Sequence, residues 1–97
     1  MYQTRKEATE ACKLESAAAK HYSKLANTNT AKGDYGKAWK MADIATVAAK
    51  CAMQAHEALW NLSGGKLTNE EFEAFEAAEI AQVEVRKAAV NIMQFVN

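Results

Sequence analysis

Asn61-Leu62-Ser63-Gly64-Gly65-Lys66-Leu67-Thr68-Asn69-Glu70-Glu71 is the stretch that decides how this chain folds. Two adjacent glycines follow a long apolar run, and glycine just past a helix end adopts the left-handed conformation that closes the last turn. Thr68 with Glu71 three residues on is a capping box, in which hydroxyl and carboxylate each take a free backbone N–H at a helix start. One helix therefore stops and another begins within a few residues. The same signals recur twice upstream. Gly33 and Gly36 bracket Asp34, a helix-start residue, and Thr4 stands three residues before Glu7. All four glycines fall at these two breaks, and the chain contains no proline. The reading is an all-α protein of three long helices, at about 4–31, 34–62 and 69–96, in an antiparallel bundle forming a single domain over 1–97.

Alanine supplies 21 of the 97 residues. Such helices pack through small side chains that bury little area each, and a chain this short hides only some 60–70% of its unfolded surface. Self-association is one remedy, so a homo-oligomer is expected. The formal net charge is zero, which gives no overall attraction to nucleic acid or to an anionic surface. Its distribution is uneven: +4 over residues 1–40, −1 in the middle and −3 over residues 66–97. The first residues lack the apolar run of a secretory leader, and no stretch has the 18 or more apolar residues of a membrane span. With only Cys12 and Cys51, the expectation is a cytoplasmic protein with reduced thiols and no membrane partner.

At about 100° per residue, the first helix gathers Ala11, Leu14, Ala18, Tyr22 and Leu25 into an apolar stripe, with Lys6, Lys13, Lys20 and Lys24 as a basic stripe elsewhere. The second is apolar almost all round, through Met41, Ile44, Ala45, Ala48, Cys51, Ala52, Ala55, Leu59, Trp60 and Leu62, and is expected to be the central helix, covered by both others. The third carries Ala74, Ala78, Ala81, Val85, Ala88, Ile92 and Val96 on its main stripe. A second line of Phe72, Val83 and Val90 lies nearly opposite, with Phe75 and Met93 between. An apolar line with no covering element inside the chain points to contact with another copy or a partner.

The residues that could carry chemistry form no catalytic constellation. No Cys-x-x-Cys, His-Glu-x-x-His, glycine-rich phosphate loop or Gly-x-Ser-x-Gly elbow occurs, so the chain reads as no enzyme, without metal or cofactor. Glu70, Glu71, Glu73, Glu76 and Glu79 at the start of the third helix suit the helix dipole without an acid–base role. Asn27-Thr28-Asn29-Thr30 reads as a fraying helix end. His56, on the apolar face near Ala45, Ala49, Ala52 and Trp60, reads first as a core residue and second as a pH-sensitive contact.

Tyr22 to Ala45 resembles one tetratricopeptide repeat. Tyr22 and Leu25 stand where that motif's first helix places its large aromatic and its leucine, and Ala26 replaces the usual small glycine. Gly33-Asp34-Tyr35, followed by Ala38 and Ala45, is similar to its turn and the small-residue face of its second helix. The same run also resembles the MIT domain, whose turn follows a Gly-x-Tyr-x-x-Ala pattern. Asn29 departs from the aromatic expected there, the second helix runs past the end of a repeat, and there is no second repeat. The resemblance implies a helical hairpin whose outer or concave face binds a helix or peptide.

The functional expectation is a non-enzymatic protein-binding module acting as an oligomer, most simply a dimer. It would be a small accessory factor or inhibitor of a larger machine, of the sort bacteria and phages encode, with Phe72, Phe75, Val83, Val90 and Met93 at the interface. Alternatives are a nucleic-acid-associated protein using the lysine stripe as phosphate contacts, and a small-ligand sensor holding an apolar molecule near His56 and Trp60.

Overall fold

A computed structural model describes residues 2–96, and the Val96 side chain, expected on the main stripe of the third helix, lies outside the described residues. Three α-helices run Arg5–Ala31 (α1), Tyr35–Ser63 (α2) and Asn69–Val96 (α3). Each begins where its capping residue predicts. The Thr4 hydroxyl accepts from the Glu7 N–H while Glu7 takes the Thr4 N–H, the Asp34 carboxylate accepts from the Lys37 N–H at 3.2 Å, and Thr68 and Glu71 exchange the same reciprocal pair. Gly64 closes α2 at φ 64° and Gly65 follows at φ 82°, conformations that cost a residue bearing a Cβ.

The first break differs from expectation. Asn27 to Thr30 do not fray: Thr28, Asn29 and Thr30 hydrogen-bond back to the carbonyls of Lys24, Leu25 and Ala26. Asn29 and Thr30 are buried, and the hydrogen bond each side chain makes within its own helix offsets part of the cost of leaving water.

All three helix pairs are in contact. α2 is covered by both neighbours as expected, and so are α1 and α3, which makes the bundle a closed triangle. Its extents are 45 × 19 × 17 Å. α1 and α2 are antiparallel, with Cys12 Sγ 4.0 Å from the Ala52 carbonyl. α1 and α3 run parallel, tied at one end by Arg5 with Glu71 and at the other by Asn91 with Asn27.

Among the described residues, fourteen of the eighteen buried hydrophobic side chains are alanine; the others are Cys12, Leu59, Val85 and Ile92. They form three stacked clusters around Ala52–Leu59, Ala45–Ala49 and Ala38–Ala42 of α2. Small contacts let helix axes approach to about 8 Å, yet a buried methyl contributes only ~0.8 kcal/mol against ~1.5–3 for a leucine or phenylalanine side chain.

This close packing overturns the expected inner face of α1. The buried line is Thr9, Cys12, Ser16, Ala19, Ser23, Ala26 and Thr30, rotated by roughly a third of a turn from Ala11, Leu14, Ala18, Tyr22 and Leu25 at 100° per residue. Leu14 is 70% exposed, and Ala11, Ala18, Tyr22 and Leu25 are half-buried. The leucines are too large for the approach that the alanines of α2 and α3 impose. α2 is likewise less enclosed than its composition suggests: Ile44, Trp60 and Leu62 are exposed, and so is Val47 at 61%. The main stripe of α3 is buried as expected from Ala74 to Ile92.

Candidate functional site: the outer face of α2 and α3

The face where α2 meets α3 holds most of the aromatic surface. His56, at a small-residue crossing of α2, projects toward α3 and lies flat on Phe75, with ring centroids 3.6 Å apart and planes 18° from parallel. Trp60, one turn on, tilts against the same phenyl ring at 5.6 Å, and these three residues with Glu57 line a shallow groove. Tyr35 stacks on Phe95 at the far end of the same helix pair, at 6.3 Å. Between them, Gln82 donates to the Ala49 carbonyl at 2.6 Å and fixes the register of α3 on α2.

The His56 side chain is 15% exposed. Its Nε2 is buried without a hydrogen-bond partner and stands 3.8 Å from a Glu79 carboxylate oxygen, beyond hydrogen-bonding range. Burial lowers its pKa below the usual histidine value, an effect the Glu79 charge only partly opposes. The ring is therefore neutral at pH 7 and acts as an aromatic surface.

Beyond this contact, α3 turns outward. Phe72, Val83, Val90 and Met93 are 48–52% exposed, and Phe75 is half-buried beneath His56. Val83 and Val90 line a groove with Arg86, Lys87, Asn91 and Gln94. Of the five apolar residues expected at an interface, Phe75 thus packs under His56 against α2, while Phe72, Val83, Val90 and Met93 stand exposed on α3.

The lysine stripe lies on the side of α1 next to α3. Lys13 reaches across to Glu70 at 2.6 Å and holds that carboxyl below its ordinary range, first through the hydrogen bond and then through charge. Lys13 and Lys20 line a groove with Ala77, Ile80 and Glu84, and Lys6 lies beside Glu10, Glu70 and Glu71. Lys24 is exposed. Lys6, Lys13 and Lys20 thus lie among carboxylates of α3.

Cys12 and Cys51 are free thiols; burial pushes Cys12 up to about 11, which leaves it unreactive. Among the described residues no group of three or more His, Cys, Asp or Glu is placed to hold a metal ion, and no helix is long and apolar enough to cross a membrane.

Two further exposed apolar groups were not anticipated as surface. Leu14, Ile44 and Val47 lie on the outside of the α1–α2 pair, and Ile80 lies in the α1–α3 groove. The unbroken 3-4 spacing of small residues from Thr9 to Thr30 was the signal that would have exposed Leu14, because it marks a competing seam.

No known protein family, curated protein or solved structure matches the chain. The likeness of residues 22–45 to a tetratricopeptide or MIT hairpin therefore rests on the α1–α2 hairpin and its small-residue crossing alone.

Proposed function

We propose that this chain is a non-enzymatic protein-binding module that works as an oligomer. One observation carries the reading: side-chain size is inverted between inside and outside. Alanine fills the interior, while among the described residues eleven large hydrophobic side chains are at least 40% exposed, with Phe72, Val83 and Val90 in a row along the outside of α3 and others, such as Leu14 and Val47, on other faces. Single exposed apolar residues are ordinary. A row of them along one shoulder of a bundle with a thin interior marks a contact surface, and burying that row in an assembly would supply the apolar area that the isolated chain lacks.

The alternative of a nucleic-acid-binding stripe is less well supported. Lys13 is paired with Glu70, and Glu84 shares the groove of Lys13 and Lys20, so phosphates would meet carboxylates as well as ammonium groups. A ligand site at His56 and Trp60 is weakened by Phe75, which already occupies the face of the imidazole.

Val83→Glu tests the proposal. It should leave the helical circular dichroism of the wild type unchanged, since Val83 is exposed, and should lower the mass measured by light scattering at micromolar concentration. An unaltered mass above that of the monomer would remove this face from the association.

A further inference from the structure

The charges that flank the apolar row of α3 are sorted by sign along the helix. Phe72, Glu76, Glu79, Val83, Arg86, Val90 and Met93 recur at intervals of four and three, which places them on one outward line. Glu73, Glu76 and Glu79 lie before Val83, and Arg86 and Lys87 lie after it. Glu84, the one acidic residue after Val83, lines the groove with Lys13 and Lys20 instead.

This order distinguishes the two ways in which α3 could meet a second copy of itself. In a parallel pair, Glu76 and Glu79 would face their own counterparts, and Arg86 would face Arg86; like charges held in opposition destabilise a helix pair and disfavour that orientation. In an antiparallel pair with its two-fold axis near Val83, the acidic half of each helix meets the basic half of the other. Val83 then meets its own counterpart, and Phe72 falls against the Val90–Met93 end of the facing helix.

We propose that the chain forms an isologous dimer through the outer face of α3, antiparallel, with Val83 at the two-fold axis and Glu76 and Glu79 against Arg86 and Lys87 across it. The occupant of this face is a second copy because the order of charge along the helix is complementary to itself in the antiparallel sense, with Glu79 facing Arg86 and Phe72 facing Met93 at both ends of the pair. A different partner would need neither symmetry. This inference rests on the oligomeric reading above and adds to it the partner, the face and the orientation.

Disulfide trapping separates the two. In a Cys51→Ser background the buried Cys12 stays inert, and a cysteine introduced at an exposed α3 position reports its own neighbour. Val83→Cys should form a disulfide-linked dimer under mild oxidation. Phe72→Cys should not, because antiparallel pairing sets the two copies about 33 Å apart at 1.5 Å per residue, far beyond the reach of a disulfide. Mixing Phe72→Cys with Met93→Cys should yield the crosslinked heterodimer. Self-crosslinking of Phe72→Cys would overturn the antiparallel arrangement, and a dimeric mass with no crosslink at either position would overturn the α3 face. In both cases the oligomeric reading survives. A monomeric mass for the wild type would overturn the dimer and that reading together. The charge pairing has its own check: Arg86→Glu with Lys87→Glu should weaken dimerisation by about tenfold or more, and adding Glu76→Lys with Glu79→Lys should restore it. Failure of the second pair to rescue the first would overturn the assigned pairing.

Discussion

The imidazole of His56 lies against the phenyl ring of Phe75 with 3.6 Å between centroids, so a titratable group serves as the packing surface between α2 and α3. Its Nε2 has no hydrogen-bond partner, and burial favours the uncharged ring.

Stability should therefore fall as the pH drops. The folded-state pKa of His56 is below its ordinary 6.5, so the unfolded chain takes up the proton first. The contribution is complete above 6.5 and is lost as pH falls through that value toward the lower folded one. The urea midpoint of the wild type should decline from about pH 7.5 to about pH 5, and His56→Gln should remove most of that slope. An equal slope in both proteins would show that His56 is not responsible.

At more acid pH, Glu71 takes over. Its carboxylate accepts from Arg5 and from the Thr68 backbone N–H, contacts that together hold its pKa near 2 against an ordinary 4.5. A depressed carboxyl stabilises above the unfolded value, and that stability disappears as pH falls from about 4.5 toward 2. Glu71→Gln should lower the thermal midpoint at neutral pH and flatten the acid limb of the midpoint–pH curve. A parallel acid limb in wild type and variant would contradict this assignment.

The turn between α2 and α3 predicts a contrast between two glycines. At Gly65, φ is 82° and an added Cβ would lie 3.1 Å from the Trp60 indole, so Gly65→Ala should destabilise by about 1–2 kcal/mol. Gly36 sits inside the first turn of α2 with open space around it, and Gly36→Ala should stabilise by about 0.5–1 kcal/mol. Urea unfolding of the two variants checks both signs.

The alanine crossing makes its own demand. Ala45 and Ala52 are fully buried, and enlarging either forces apart helices held at close approach. Ala45→Leu or Ala52→Leu should cost about 1–3 kcal/mol, read as a lower urea midpoint. An unchanged midpoint would mean that α2 has room at these positions.

Thr4, Asp34 and Thr68 place the helix starts in the sequence because capping is local chemistry, and the buried face of α3 follows from its regular small-residue spacing. The inner face of α1 was not legible in the same way. Leu14 and Leu25 outweigh Cys12, Ser16 and Ser23 on any hydrophobic scale, yet the inner face is chosen by how closely the helices approach, a property of three surfaces at once. The outward row Phe72–Val83–Val90 could be read from α3 alone. Its aromatic neighbours, Phe75 under His56 and Tyr35 on Phe95, needed the register between two helices.

Sedimentation equilibrium of the wild-type protein at micromolar concentration tests most directly whether the large side chains outside this alanine bundle exist to be covered. The predicted result is a single species of twice the 10.6 kDa chain mass. A 10.6 kDa particle at every concentration would contradict it.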